Sequence, residues 1–450
     1  RSDQTVLTGL VMQALYRGLE NAHGGRNTGV PAIETLPRIT TAIFGLGAHD
    51  LQPRHLVAAY DNMERSDGAP LVYLGSTFFA KNPSPRLAAL QTKLAAAYPE
   101  TKLMALEVGE NPHLLPEGAF RVRFHSVGGY GTIATGKLLT DILAGVLDLH
   151  SKAAPKYGSE KSGAPTNYYI TLSPDPVKIT NAELEEVEIV VSPDHKVFSH
   201  TNPLKGLLPG DTFILQSSLS PLETWKGLPA HARKTIRERG IEVFVIDAFQ
   251  VAKRHAPRAD LETRMMGIAF IGAVCGHLDH VTKGASAEAI LEKTRKLIGK
   301  KFGAKGAAIV DGNMAVIRDG LAATVKVDYD AAAFLEADAA PAKVAARGVA
   351  LSAGLEHASR CVAESGFLDQ DYYDDVVAMP FREGAIADAP VLPGTGLFMP
   401  AASAAFKDKG LFRRTVPEFV ADLCTGCAEC ALVCPDAAIP NTVHEIHDLI

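Results

Sequence analysis

The chain has 450 residues, enough for about two to four domains at roughly 100–200 residues each. Apolar residues make up 47% and charged residues 21%, the balance of a globular protein that buries a real core. The formal net charge of −6 argues against nucleic acid or an anionic membrane as a main partner, and the longest apolar run, Met265 to Gly276, falls short of the roughly 20 residues a membrane span needs.

The N-terminal stretch "RSDQTVLTGL" lacks the apolar core of a signal peptide, and a start at Arg1 is the expectation for a processed or partial chain. In "QTVLTGLVMQALYRGLENA", Val6, Leu10, Met12, Leu15 and Leu19 recur at helical spacing. "RITTAIFGLG" reads as a strand entering a glycine turn, and "QPRHLVAAYDNMERS" as a helix, so residues 1–70 form an α/β segment. Residues 71–117 repeat the alternation: strand "LVYLG", helix "PRLAALQTKLAAAY", strand "KLMALEVG", then the Pro- and Gly-bearing connection "GENPHLLPEG".

Residues 118–330 read as the main domain. Strand "FRVRFH" (Phe120–His125) runs into the glycine-rich turn "SVGGYG" and then the helix "TIATGKLLTDILAGVL". "VEIVVS", "DTFILQSS" and "IEVFVID" are short apolar strands separated by turns or helical stretches such as "LETWKGLPAHARKTIRERG". That alternation predicts an α/β fold with a parallel, doubly wound sheet. Residues from Ala256 to about Gly320 are helical in pattern, and residues 331–411 are Ala-rich and then Pro/Gly-rich, as in an extended linker. The last segment, 412–450, carries the cysteines.

The chain has six cysteines, and four lie in "CTGCAECALVCP". Cys275 and Cys361 read as free thiols, which together with the cluster suggests a reducing compartment and a cytoplasmic location. Cys424, Cys427, Cys430 and Cys434 follow the C-x2-C-x2-C-x3-C-P spacing of bacterial-ferredoxin iron–sulfur ligation. Thiolates two residues apart can wrap one face of a cuboidal cluster, and the small Gly426 and Ala428 let backbone N–H groups approach its sulfides. A zinc site is the competing reading, but it usually needs a second ligand pair at a distance. In two-cluster ferredoxins the fourth cysteine ligates the other cluster. No cysteine follows Cys434, so a second run would come from further chain or from a partner. One [4Fe–4S] cluster on all four local cysteines is the alternative.

Two other segments are candidates for anion binding. In "HSVGGYGTIATGK", Gly128, Gly129 and Gly131 lie between a strand and a helix N-terminus, where backbone N–H groups can meet a phosphate. The pattern is GGxG rather than a full dinucleotide fingerprint, and a plain tight turn fits it as well. In "PKYGSEKSGAP", Ser159, Lys161 and Ser162 could hold an anion by charge-assisted hydrogen bonds; a surface loop is the bland reading. His125, at a strand end, reads as structural. No catalytic residue is identified.

With these residues in view, the chain resembles the pyruvate:ferredoxin (flavodoxin) oxidoreductases and related 2-oxoacid:acceptor oxidoreductases. "AIFGLGAHDLQPRHLVAAYDNM" is similar to the end of their second domain, which makes 1–70 the C-terminal part of an α/β domain. "FRVRFHSVGGYGTIATGKLL", "PKYGSEKSGAPTNYY" and "IEVFVIDAFQVAKRHAPRADLETRMMGIAFIGAVCG" resemble their Rossmann-like gamma-type domain. "TVPEFVADLCTGCAECALVCPDAAIP" resembles the start of their ferredoxin-like domain. The resemblance implies oxidative decarboxylation of a 2-oxoacid with coenzyme A, with thiamine diphosphate and magnesium, [4Fe–4S] clusters, and ferredoxin or flavodoxin as acceptor. Pyruvate is the expected substrate; 2-oxoglutarate, indolepyruvate or a non-catalytic electron-relay role are the alternatives. The gamma-type domain lies on the coenzyme A side, which draws 126–131 and 157–163 toward that ligand. The GDG-to-Asn thiamine pattern is missing: Asp311-Gly312-Asn313 does not supply it. The thiamine-binding domains are therefore expected in a partner or in further chain, within a homodimer or hetero-oligomer.

Overall fold

The computed structural model of the chain describes residues 5–339, apart from 25–28, 47–48, 76–77, 80–84, 107, 129–130, 158–164, 181–182, 200, 257–258 and 278–286, together with residues 420–433. The chain divides into two units, Arg1–Asp408 and Lys409–Ile450.

The first unit is built on a seven-stranded sheet. Its strands are β3 (Phe120–Val127), β4 (His150–Tyr157), β5 (Pro165–Ser173), β6 (Val187–Ser192), β7 (Leu207–Gln216), β8 (Glu242–Ile246) and β9 (Val325–Lys326), numbered after two short N-terminal strands. The order is β4-β5-β3-β6-β7-β8-β9. Strands β3, β6, β7 and β8 are parallel. The sheet is mixed rather than wholly parallel: β5 runs antiparallel to both β3 and β4, and β9 antiparallel to β8.

Alternation along the strands divides the core into two layers. Phe120, Val122 and Phe124 of β3 join Ile189, Val191, Ile214 and Ile246 under the helices Thr132–Leu147, Ala259–Cys275 and Ala307–Ala322. Val190, Phe213, Leu215, Val243 and Val245 face the other way, toward Trp225, Ala232 and Ile236 of the helices Pro221–Gly227 and Ala230–Arg239. Both faces of the parallel strands are therefore covered, as such strands require. On the second face β3 contributes Arg121, Arg123 and His125 instead of apolar residues. Arg123 is buried and donates Nη2 hydrogen bonds to the carbonyls of Pro203 (2.7 Å) and Lys205 (2.6 Å), tying the strand to the loop after β6. Arg121 holds Glu188 through Nε at 3.0 Å.

Small residues set the closest approaches. A Cβ on Gly320 would lie 2.3 Å from the carbonyl oxygen of Ala269, and one on Gly272 2.0 Å from that of Ile317, so two buried helices meet backbone to backbone. Gly136 lets the helix Thr132–Leu147 settle on the Tyr168 ring, which a Cβ would meet at 2.2 Å. The helix Ala332–Ala339 closes the domain: Asp338 accepts from Trp225 Nε1 (3.0 Å) and Arg237 Nε (2.7 Å), and Arg237 lies over the Trp225 ring.

N-terminal to this domain, β1 (Thr41–Ile43) and β2 (Leu71–Tyr73) form a two-stranded parallel sheet, with Tyr73 bridged to Ala105. The helices Val6–Ala22, Pro53–Glu64 and Pro85–Ala97 accompany it. The expected strand "KLMALEVG" is instead a helical turn, Thr101–Met104, ending at that single bridge. A polar seam joins the segment to the large sheet: Arg54 and Asn111 donate to Glu185 at 2.6 and 2.7 Å. Among the described residues no helix is long and apolar enough to cross a membrane.

In the second unit the described residues form a 3-10 turn, Ala421–Leu423, and a short helix, Glu429–Leu432.

Candidate functional site

Parallel strands that diverge in strand order leave a crevice outside their carboxyl ends, the usual ligand position in doubly wound sheets. Here the divergence falls between β3, whose chain continues toward β4 and β5, and β6, whose chain continues toward β7 and β8. Gly128 follows β3 directly, half-buried, and Gly131 opens the helix Thr132–Leu147 with φ +72°, a left-handed conformation suited to glycine. No side chain caps that helix; its first backbone bond runs from Thr135 N–H to the Gly131 carbonyl at 3.0 Å.

A hydroxyl pair holds the strand end and the helix start together. Ser126 Oγ and Thr132 Oγ1 are 2.5 Å apart, both buried, and Ser126 Oγ also donates to the Val127 carbonyl at 3.1 Å. Ser126 shares its face of β3 with Phe124, so this hydroxyl pair extends an apolar column. A buried hydroxyl pair contributes little net stability but fixes direction. Thr135 fits against Gly267 of the helix Ala259–Cys275, where a Cβ would lie 1.9 Å from Thr135 Oγ1. His125, one residue earlier and on the opposite face, brings Nε2 to 3.3 Å from Thr201 Oγ1.

The register brings the second candidate segment to the same edge. Val127 pairs with Pro165 and Tyr157 with Thr166, so the residues flanking 158–164 lie beside the end of β3. Gly128 and Gly131 are placed by the structure; Gly129, Ser159, Lys161 and Ser162 lie outside the described residues. Further along the carboxyl edge, a cavity of about 310 Å³ is lined by His195, Gln216, Ser218, Asp247, Gln250 and Lys253. Its polar groups are partly committed. Asp247 Oδ1 accepts from the Gln250 N–H (3.1 Å) and from Gln216 Nε2 (3.3 Å), while Gln216 Oε1 accepts from the Ala248 N–H (2.9 Å).

Sequence reasoning did not single out Ser126, Thr132 or Thr135. The signal was two hydroxyl residues flanking a glycine turn where the strand pattern calls for an apolar side chain. Asp311-Gly312-Asn313 lies within the helix Ala307–Ala322, with Asp311 paired to Arg295 at 2.5 Å and Asn313 buried. Burial pushes the Cys275 thiol up to about 12, so it is a poor nucleophile or ligand; Cys361 lies outside the described residues.

In the second unit Cys424, Cys427 and Cys430 are exposed. Gly426 (φ +72°) and Ala428 (φ +60°) are left-handed and turn the backbone between them. The Glu429 N–H, followed by the Thr425 hydroxyl, draws the Cys427 thiol below its ordinary range. The donor types suit iron–sulfur or zinc. Among the described residues no three such side chains are gathered for a metal ion, and Cys434 lies outside them.

The mostly parallel sheet, covered on both faces, defines a Rossmann-like α/β domain. Residues 121–323 match the family model described as pyruvate ferredoxin/flavodoxin oxidoreductase. The matched residues lie within the segment for which the resemblance was drawn. Pyruvate:ferredoxin oxidoreductase of Moorella thermoacetica is 25% identical over 398 residues, 88% of this chain and 29% of the relative. Pyruvate-flavodoxin oxidoreductase of Nostoc sp. is 22% identical over 440 residues, 98% of this chain and 32% of the relative. The chain thus spans about a third or less of the curated relatives it matches. Among solved structures, a pyruvate oxidoreductase subunit of Thermotoga maritima is 19% identical with a TM-score of 0.33, covering 46% of this chain and 98% of its own. A gamma subunit of a keto/oxoacid ferredoxin oxidoreductase from Geobacter sulfurreducens is 18% identical, also with a TM-score of 0.33, covering 46% of this chain and 99% of its own.

Proposed function

We propose that the chain is a part or subunit of a thiamine diphosphate-dependent 2-oxoacid:ferredoxin oxidoreductase. The reaction is 2-oxoacid plus coenzyme A and oxidised acceptor to acyl-CoA, CO2 and reduced acceptor. The observation that carries this reading is the family match over 121–323, set within relatives that align over 88% and 98% of the chain. Pyruvate is the substrate the names of those relatives favour, and ferredoxin or flavodoxin the acceptor. Thiamine diphosphate with magnesium, in polypeptide outside these residues, supplies the carbanion chemistry.

In this reading residues 118–330 are the gamma-type domain. Its carboxyl edge receives the anionic end of coenzyme A, whose phosphates need N–H donors and cations. The turn at Gly128, Gly129 and Gly131 supplies N–H groups at an uncapped helix start. Ser159, Lys161 and Ser162 belong to the segment whose ends flank that turn, and they supply hydroxyls and an ammonium. Cys424, Cys427, Cys430 and Cys434 would hold iron–sulfur chemistry for single-electron transfer.

The test is an anaerobic assay of the native assembly purified through this chain, with pyruvate, coenzyme A and a low-potential viologen. Dye reduction that needs both substrates is expected. Reduction with 2-oxoglutarate or indolepyruvate alone would change the substrate assignment. Absence of any 2-oxoacid-dependent reduction, with the clusters intact, would leave an electron-relay subunit and overturn the enzymatic reading.

A further inference from the structure

Strands β4 and β5 flank the candidate segment 158–164, and on one face of the sheet they are held by polar contacts. The helices of that face lie over Val190, Phe213, Leu215, Val243 and Val245, on strands β6 to β8. Over β4 and β5 the same face carries Lys152, Lys156, Asn167, Tyr169 and Thr171, and the connection from β5 to β6 crosses it. The layer there is loosely filled: Lys152, Ala154, Tyr169, Thr171, Thr180 and Leu184 line a cavity of about 260 Å³. β4 is exposed along nearly its whole length, so little apolar area fixes it.

Three side chains reach that connection. Lys152 Nζ donates to the Lys178 carbonyl at 2.8 Å. Lys156 Nζ pairs with Glu183 Oε2, and the Tyr169 hydroxyl donates to Glu183 Oε1 at 3.3 Å. A single carboxylate therefore ties the outer strand to its neighbour, one oxygen to each. Burial holds the Tyr169 phenol above its ordinary range, so it remains a donor. Glu183 is fixed from the other side as well. The Asp50 carboxyl faces the Glu183 N–H, and Glu185, two residues on, accepts from Arg54 at 2.6 Å and Asn111 at 2.7 Å.

The register carries this tie to the candidate site. Tyr157, next to Lys156, pairs with Thr166, and Pro165, next to Thr166, pairs with Val127. What fixes Lys156 therefore fixes the end of β4–β5 beside the turn that Gly128 begins.

We propose that Glu183 is a positioning residue for the anion site at the carboxyl edge of β3. By holding Lys156 and Tyr169 together it sets the end of β4–β5 against the glycine turn. Through its own N–H and through Glu185, it makes that setting depend on the N-terminal segment. Lys156 is not itself the cation that meets the ligand, because its ammonium already has a carboxylate partner. The inference rests on the reading of this edge as the coenzyme A site.

The test uses the native assembly with Glu183→Gln, Lys156→Gln and the double variant. Coenzyme A binding is read by titration calorimetry without 2-oxoacid. Each single variant should weaken it about fivefold, the scale of a partly exposed ion pair with one further hydrogen bond. The double variant should be no worse than either, as for two residues that act as one pair. KM for coenzyme A should rise in step, while kcat and KM for the 2-oxoacid hold. Amide exchange should quicken about fivefold across 154–157 and 166–168 and stay unchanged across 243–246. Tighter binding in Glu183→Gln with weaker binding in Lys156→Gln would make Lys156 a direct ligand group and overturn the proposal. Unchanged affinity in the variants, or unchanged exchange, would overturn it alone and leave the functional reading standing. A wild-type assembly that binds no coenzyme A would overturn both.

Discussion

The contact between Gly320 and Ala269 gives the sharpest quantitative expectation. In Gly320→Ala the new carbon would sit 2.3 Å from the Ala269 carbonyl oxygen and 2.9 Å from its carbonyl carbon, where ordinary contact begins near 3.4 Å. Both neighbours are backbone, so no rotamer change relieves them, and the helices must separate by roughly 1 Å in a close-packed layer. Overpacking of this type costs about 1–3 kcal/mol, and the backbone clash places it at or above the upper end. Alanine returns about 1 kcal/mol over glycine in a helix. The net loss is about 2 kcal/mol, or about 4–8 °C in Tm for a domain of this size. Gly299→Ala is the control, since nothing lies within 4 Å of its added carbon. It should gain up to about 1 kcal/mol and melt a few degrees higher. Scanning calorimetry on the full chain reads both. A Gly320→Ala protein that melts at or above wild type would refute the argument from backbone contact.

Other expectations follow from single residues. Asp338→Ala removes the acceptor for Trp225 and Arg237 and should raise amide exchange across 332–339 about tenfold, the scale of a lost charged hydrogen bond; unchanged exchange would show that the helix is held by packing alone. Burial, followed by the nearby Glu188, pushes the Asp211 carboxyl up to about 6. Its folded pKa is raised, so its favourable contribution is complete below the unfolded value near 4 and is lost as pH rises through about 6. Asp211→Asn should therefore gain stability relative to wild type between pH 4.5 and 7.5, and a pH-independent difference in Tm would contradict that. Thr132→Val breaks the hydroxyl pair with Ser126 and should raise KM for coenzyme A severalfold in the assembled enzyme while KM for the 2-oxoacid holds; Thr132→Ser should restore it. Equal changes in both constants would make the pair merely structural.

Much of the sheet was legible because its central strands bury both faces. "VEIVVS", "DTFILQSS" and "IEVFVID" are apolar on successive residues and bounded by turn or helix signals, which leaves little choice but parallel strands. The hairpin β4–β5 was not legible. His150–Tyr157 is an edge strand exposed along nearly its whole length, so its sequence, with Lys152, Pro155 and Lys156, carries no alternation. Lysine and proline are how exposed edges avoid further pairing, and the same residues read as loop. The error at "KLMALEVG" had the opposite cause: an apolar run too short to distinguish a helical turn from a strand.

At the candidate site, the sequence showed the glycines and the polar Ser159–Ser162 segment but not that Gly128 and the residues flanking 158–164 share an edge. That follows from the antiparallel register Val127↔Pro165, a consequence of the missed hairpin. The Ser126–Thr132 pair was invisible for a related reason, since a hydroxyl six residues away acquires a partner only when the intervening turn folds back. The cysteine run is legible from spacing alone because its members are local in sequence.

The most direct test of the account is iron and acid-labile sulfide analysis of the native assembly, purified anaerobically through this chain, with low-temperature EPR after pyruvate and coenzyme A are added together. The account predicts iron and sulfide in near-equal amounts, and reduced [4Fe–4S] signals that need both substrates. Zinc without sulfide, or clusters that dithionite reduces and the substrates do not, would contradict it.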